Sequence, residues 1–335
     1  MEPSISDVAA EAGVSAATVS RALRYLPNVN EQTAERVRRV AAQLGYAASP
    51  AAASLATGVT RTIALVCSRL NTWFVSEAVE AIVRSARDEG FTTAVFSMGM
   101  GSRVGQGADA RLPVRARRLK RRADAVIVCG LPVDAGEIAE LERLEVPLVF
   151  LGHTSPDHIA VHIDERATAR EATEYLLARG HRTIGHVTGP GDDDSETAPP
   201  LLRLRGYEDA LKGASVGPDY ELVAHCAYSR EAARVATRDL LRTRPDITAL
   251  LGFSDLQCAG ILAAAADLGR RVPEDLAVIG IDGSELSEVL GLTTMAQDPA
   301  AQGESALSLA LEALTGSPVP HEILFPATLI ERATT

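Results

Sequence analysis

Sulfur and aromatic rings are scarce in this chain, and long apolar runs are missing. Its 335 residues include four cysteines, one tryptophan, six tyrosines and six phenylalanines. Cys67, Cys129, Cys226 and Cys258 stand far apart. No pair has the short spacing of a zinc ligand set or a redox dithiol, so small buried thiols in a reducing compartment are expected, and no metal. No stretch approaches the roughly 20 apolar residues that a membrane helix needs. The first residues show no basic segment followed by an apolar one, so no secretory signal is expected and the cytoplasm is the expected compartment. Catalytic signatures are missing too. The glycines of 99–107 lack the strand and helix of a dinucleotide fingerprint and the lysine of a P-loop, and read as a loop. No nucleophile–base–orienter set appears, so neither an enzyme nor a cofactor is expected. Asp192, Asp193 and Asp194 read as an acidic surface loop.

What is present is enough apolar material, 46% of residues, to build real cores. The length implies two or three domains. The formal net charge of −11 argues at first against a nucleic-acid partner. Its distribution reverses that. Residues 1–60 carry five bases (Arg21, Arg24, Arg36, Arg38, Arg39) against five acids (Glu2, Asp7, Glu11, Glu31, Glu35), so the negative excess lies beyond them. An acidic body would orient a neutral head toward DNA and give a salt-sensitive affinity.

Residues 4–26 organise that head. Ile5, Val8, Ala9 and Ala12 fall at helical spacing. Gly13 then suits the left-handed turn after a helix. Val14 can plug the gap between two helices, and Ser15 can cap a second one with Val19, Ala22 and Leu23 inward. This is the pattern of a helix-turn-helix, and equally of two surface helices in an ordinary bundle. The outward face of the second helix carries Ala16, Ala17 and Arg21. Alanine methyls can meet thymine methyls, and a guanidinium can grip guanine with two hydrogen bonds. Ser15, Thr18 and Ser20 are short hydroxyl donors suited to phosphates.

Val8-Ala9, Ala12-Gly13-Val14-Ser15 and Thr18-Val19-Ser20-Arg21 are followed in order by Asn30-Glu31-Gln32-Thr33, Arg36-Val37 and Ala41-Ala42-Gln43-Leu44-Gly45-Tyr46. Together they resemble the headpiece of LacI-type transcriptional regulators, and the likeness continues through the chain. It implies a third helix, capped by Asn30 and ended by Gly45, and phosphate contacts from Ser4, Asn28 and Thr33. It also implies a hinge helix within 47–60, formed when two copies pair over the minor groove. There Leu55 would wedge between base pairs and kink the duplex. Two departures, Ala48-Ser49 for Pro-Asn and Ala53 for an arginine, weaken the minor-groove phosphate contacts. The domains expected are 1–46 headpiece, 47–60 linker and 61–335 effector-binding and dimerisation domain. Its N-subdomain spans about 61–160 and 290–320, and its C-subdomain about 165–288 and 321–335.

From residue 62 strands and helices alternate. Strands are predicted at 63–67, 92–96, 125–128 and 148–151, then at 183–187, 221–225, 249–253 and 277–281. Helices are predicted at 74–89, 110–122, 135–144, 166–179, 201–211, 230–242, 256–268 and 299–314, with a strand-like 322–325 completing the second half. The fold class is a three-helix headpiece and hinge helix followed by two doubly wound α/β subdomains, which resemble periplasmic-binding proteins. The basic cluster from Arg115 to Arg122 reads as a solvated helix face.

Ligands of such folds bind between the halves, at the carboxyl ends of the strands. The resemblance places effector contacts at Trp73 and Phe74, at Arg203 (Arg205 if the register shifts by two), at Ser254 beside Asp255, and at Asp282. Gly152 followed by His153, Ser254 and Ser68 depart from the usual acids and asparagine, which favours an effector with a larger or more apolar body than a simple sugar. The expected protein is a sequence-specific DNA-binding regulator. It would be a repressor whose affinity for a pseudo-palindromic double-stranded operator changes when a sugar or related metabolite occupies the cleft. The chain has no terminal leucine heptad, so a homodimer is expected. The alternative is a cytoplasmic solute-binding protein without DNA regulation.

Overall fold

The computed structural model describes residues 3–23, 27–46, 59–67, 69–97, 119–131, 133–155, 157–190, 197–217 and 219–335. Leu55 and its hinge segment, Ser68, the glycines of 99–107, most of the helix expected at 110–122, and Asp192 to Asp194 lie outside them. Contacts divide the chain into two units, Met1–Arg61 and Thr62–Thr335.

The first unit holds three helices, α1 (Ile5–Ala12), α2 (Ala16–Leu23) and α3 (Glu31–Leu44). Each starts where a short polar side chain satisfies an amide that the helix leaves open. Ser4 and Asp7 form a reciprocal box: the Asp7 amide donates to Ser4 Oγ at 3.3 Å, and the Ser4 amide to Asp7 Oδ2 at 2.8 Å. The Ser4 amide, and then the Ser4 hydroxyl, donate to the Asp7 carboxylate and hold it below its ordinary range. Ser15 Oγ accepts from the Thr18 amide at 3.2 Å, and Asn30 Oδ1 from the Thr33 amide at 2.8 Å. Gly13 ends α1 at φ +63°, which redirects the chain at once into α2. Val8, Val19 and Val37 are fully buried among Ala9, Ala12, Ala22, Ala34 and Ala41. The core is small, so each of those valines contributes a large share, about 1.5–3 kcal/mol.

The second unit contains two six-stranded sheets. The strands are β1 (Thr62–Cys67), β2 (Thr92–Ser97), β3 (Ala125–Cys129), β4 (Leu148–Leu151), β5 (Ile159–Ile163), β6 (Ile184–Thr188), β7 (Val223–His225), β8 (Ala249–Gly252), β9 (Ala277–Asp282), β10 (Thr293–Ala296), β11 (Glu322–Phe325) and β12 (Thr328–Ile330). The first sheet runs β11-β5-β4-β3-β1-β2, all parallel. The second runs β12-β10-β9-β8-β6-β7, parallel except for β12 against β10. Both halves thus repeat one doubly wound order, which places ligand sites at the carboxyl ends beside the first strand of each half.

The central strands read as unbroken apolar runs because both of their faces are covered. Alternation still sorts the residues. Ile63, Leu65 and Cys67 of β1 pack with Ile127 and Val149 under the helices α4 (Trp73–Asp88) and α11 (Pro299–Leu314), while Ala64 and Val66 face Leu141 and Phe150 on the other side. The remaining helices are α5 (Ala135–Glu142), α6 (Glu165–Ala178), α7 (Pro199–Gly213), α8 (Arg230–Thr243), α9 (Asp255–Asp267) and the short α10 (Glu285–Val289). Cys67, Cys129 and Cys258 are buried and Cys226 half-buried, all as free thiols. No helix among the described residues is long and apolar enough to cross a membrane.

The last part of the chain departs from the expected division. Glu322–Phe325 does not complete the second half: it joins the first sheet, with Ile323 in register with Val161. Residues 293–296, expected with the first half, form β10 in the second sheet beside β9. The chain therefore passes between the sheets three times, after β5, after β10 and between β11 and β12. Strand β5 was not anticipated, and without it β11 has no visible partner. The strand expected at 221–225 is shorter, because Asp219 caps a turn of 3-10 helix over Tyr220–Leu222.

Candidate functional site

In the first unit, Val19 and Ala22 of α2 are buried, which leaves Ala16, Ala17 and Arg21 exposed on the opposite face. Ser15 is exposed, and its hydroxyl lies 2.9 Å from that of Thr18. Thr18, Ser20 and Thr33 are half-buried. The Ser4 hydroxyl donates to Asp7 Oδ2 at 2.7 Å, so its first task is to cap α1. Asn28 is exposed at φ +73°, a conformation that asparagine tolerates better than most residues. The surface that results is small residues, one guanidinium and several hydroxyls around a helix of helix-turn-helix type.

In the second unit the Arg203 guanidinium is only 3% exposed. Its Nε donates to Glu165 Oε2 at 2.5 Å, its Nη1 donates to the Phe253 carbonyl oxygen, and its Cζ lies 4.3 Å over the Phe253 ring. Burial works against this charge. The Glu165 carboxylate, by Coulomb attraction and its hydrogen bond, outweighs burial and raises the pKa. The spacing Arg203-x-x-Gly206-Tyr207 has a packing reason. A Cβ at Gly206 would stand 2.1 Å from the Arg166 carbonyl oxygen, so only glycine lets α7 lie this close to α6. Tyr207 then donates to the Ile184 carbonyl at 2.6 Å and stacks on His186 at 5.4 Å, which fixes α7 on β6. Arg205, the alternative in this motif, is half-buried.

Ser254 is half-buried and caps α9, its Oγ accepting from the Gln257 amide at 3.3 Å. The next residue, Asp255, is fully buried and committed to structure. Its Oδ2 accepts from the Ser284 amide and hydroxyl, both at 2.8 Å, and its Oδ1 accepts from the Thr294 hydroxyl at 2.7 Å. Asp282 ends β9 at φ +137°, a strained value for a residue with a side chain. Its carbonyl oxygen accepts from the Gln297 amide at 2.9 Å, and its Oδ1 from Gln297 Nε2 at 3.2 Å. Burial, then the nearby Asp255 carboxylate, push the Asp282 carboxyl well above the ordinary range, against the pull of Arg203. Tyr228 and Phe253 place their rings 5.2 Å apart nearby, so aromatic faces and polar groups meet at this end of the second sheet.

At the same end of the first sheet, Trp73 and Phe74 open α4 and are half-buried. Gly152, just past β4, has φ +81°, and a Cβ there would fall 2.6 Å from Phe74 Cε1. His153 follows, buried beside Phe150 with ring centroids 5.3 Å apart. Burial, then the charge of His162, lower its pKa to about 4. The acid that the sequence lacks at 152 is thus replaced by an aromatic surface. Arg203, Phe253, Asp255 and Asp282 form one connected group. Trp73 and Phe74 belong to the other sheet.

Residues 4–49 match the family model of bacterial regulatory proteins, lacI family, and residues 173–335 that of a periplasmic binding protein-like domain. The HTH-type transcriptional repressor CytR of Escherichia coli (strain K12) is 31% identical over 323 residues, which cover 94% of this chain and 91% of CytR. The chain belongs to the lacI family. Among solved structures, a Lac repressor dimer bound to operator and the anti-inducer ONPF matches with a TM-score of 0.87 at 27% identity, over 100% of this chain and 99% of that one. A complex of the transcriptional regulator CelR with cellobiose matches with a TM-score of 0.73 at 28% identity, over 99% and 100%.

This lacI-family member is a transcriptional regulator with a helix-turn-helix head and a two-sheet body. Sequence reasoning missed Glu165, Gln297, Tyr228 and Phe253. Phe253 was within reach, as an aromatic standing one residue past the strand β8, whereas Glu165 follows β5, which was not anticipated. Gln297 carried no local signal, because its contact with Asp282 depends on the unrecognised strand β10.

Proposed function

We propose that this regulator is a homodimeric cytoplasmic repressor that reads a pseudo-palindromic operator through Ala16, Ala17 and Arg21, and that an effector held at the Arg203–Asp282 end of the second sheet changes its operator affinity. One observation carries the DNA side. The exposed face of α2 is made of two alanines and an arginine, while the apolar residues of the same helix are spent on the core. Such a face can approach base edges closely and discriminate at one guanine. Phosphate contacts are assigned to Ser4, Ser15, Thr18, Ser20, Asn28 and Thr33, and the minor-groove wedge to Leu55.

The effector side rests on Arg203, Asp282, Ser254, Trp73 and Phe74, with Tyr228 and Phe253 as additional ring surfaces. Hydroxyl-rich ligands suit this set: carboxyl and guanidinium groups take the hydroxyls, and rings take the apolar sugar face. The cellobiose bound to the related CelR is a ligand of this kind. Effector binding would close the two halves on one another and shift the paired N-subdomains, a change of state that both ligands bias.

The test is a mobility-shift titration of the full chain on double-stranded fragments of its own promoter region at low ionic strength, with and without sugars. A saturable shift that a sugar weakens or strengthens supports the reading. Sugar binding with no shift on any fragment would establish the solute-binding alternative instead.

A further inference from the structure

Two edges of a guanidinium can grip a carboxylate or phosphate with paired donors: the one formed by Nε and Nη2, and the one formed by Nη1 and Nη2. In Arg203 the first is interrupted, and Nη1 has spent one of its two N–H groups. Glu165 holds Nε at 2.5 Å, and the Phe253 carbonyl oxygen holds Nη1. The Phe253 ring covers one face of the plane, with Cζ 4.3 Å from its centroid. One N–H on Nη1 and those on Nη2 remain to serve hydroxyls, but the charge behind them is already matched by the Glu165 carboxylate. The formal charges around it point the same way. Arg203 is balanced by Glu165, which is itself buried, and Asp255 and Asp282 add two further acidic positions on the same side. Among the described residues, an anionic ligand would therefore meet no positive surplus around Arg203, and would do so out of water.

We infer that Glu165 is a specificity-determining residue: by occupying Arg203 it restricts the effector to uncharged polyhydroxy molecules and excludes their carboxylate and phosphate counterparts. The inference rests on the Arg203 group being the effector site. Glu165 does not touch the ligand. It acts by withdrawing the one buried Arg or Lys among the described residues, and it lies 38 residues before Arg203, at the start of α6, directly after the chain leaves the first sheet. The same carboxylate gives Arg203 its fixed orientation, so positioning and exclusion come from one contact.

The experiment is thermal shift on the full chain at constant ionic strength. Wild type is titrated with matched pairs: cellobiose and cellobionate, glucose and glucuronate, a nucleoside and its 5′-monophosphate. Wild type and Glu165→Gln are then titrated with acetate and inorganic phosphate. In each pair that binds, the neutral member should bind at least tenfold tighter. Wild type should show no saturable response to acetate or phosphate, and Glu165→Gln should show one. If Glu165→Gln does not fold, Glu165→Met, which is uncharged and of similar length, takes its place. An anionic member that binds as tightly as its neutral counterpart overturns the inference, as does a variant no more responsive to acetate than wild type. Operator binding by wild type, followed in parallel, separates the two readings: its loss removes the assignment as a repressor and leaves the anion titrations readable.

Discussion

Phe74 occupies the space that a side chain on residue 152 would need, its Cε1 lying 2.6 Å from where a Gly152 Cβ would stand. The contact joins the start of α4 to the turn after β4, two of the segments that shape the first sheet's carboxyl end. Gly152→Ala should therefore cost twice, once for a Cβ at φ +81° and once for displacing the ring. Together these are worth about 2 kcal/mol. Urea unfolding of Gly152→Ala, Phe74→Ala and the double variant separates the two costs. A coupling energy of about 1 kcal/mol is expected, and strict additivity would show that the ring is not what the methyl meets.

A second glycine sets the position of the arginine. At Gly206 a Cβ would meet the Arg166 carbonyl oxygen at 2.1 Å and the Arg170 amide at 3.0 Å, and backbone cannot rotate away as a side chain can. Gly206→Ala should force α6 and α7 apart and cost about 3 kcal/mol. Arg203 and Glu165 sit on those two helices, so effector affinity should fall along with the melting temperature. A variant that melts like wild type would mean that the helices have slack at this crossing.

These two glycines show how far the sequence could be read. The five-residue window 203–207 placed Arg203, and the apolar run 63–67 placed a buried strand, but the close helix approach at Gly206 and the two-sided sorting of β1 come only from the structure. The pairing of Phe74 with Gly152 spans 78 positions and has no local sign. The same holds for Glu165 and Arg203. The missed strands β10 and β12 are short and carry threonines, so no period stands out, while β5 is as long as β3 but has His162 in its apolar run. Two of them decide where the chain changes sheets, which is why the assignment of residues 290–335 to halves differed from the structure.

Buried histidines make stability depend on pH. His153 and His186 are held down to about 4, in each case chiefly by burial, while an unfolded histidine titrates near 6.5. Between those values the unfolded chain binds more protons, so stability rises with pH and is lost as pH falls from about 6.5 toward 4. At pH 5.5 each histidine should cost about 1 kcal/mol relative to neutrality. Asp255 and Asp282 have raised values and act in the opposite direction, favouring the folded state as pH falls. His153→Leu isolates one component, since the ring is buried and its one backbone neighbour, Leu151, opposes the shift less than burial drives it. Urea midpoints at pH 7.5 and 5.5 should lie closer together in this variant than in wild type. Parallel shifts in the two proteins would show that His153 already exchanges its proton in the folded state.

Arg21 is the one charged residue on the exposed face of α2, and its neighbours there, Ala16 and Ala17, offer only methyl groups. Removing the guanidinium should then cost discrimination more than overall attraction. Arg21→Ala is expected to lose about 1–3 kcal/mol of preference at one base pair in each half-site. Binding to unrelated DNA should fall less, since it depends on phosphates that Ser15, Thr18 and Ser20 can still reach. The helix itself should survive, because Val19 and Ala22 hold it from the other side. Footprint titrations on the operator and on versions altered at single positions measure the difference. Wild type should separate the altered sites by tenfold or more at one symmetric pair, and Arg21→Ala should bind all of them nearly alike. If both proteins rank the sites identically, the arginine reads no base, and the alanines with the hinge segment must carry the discrimination.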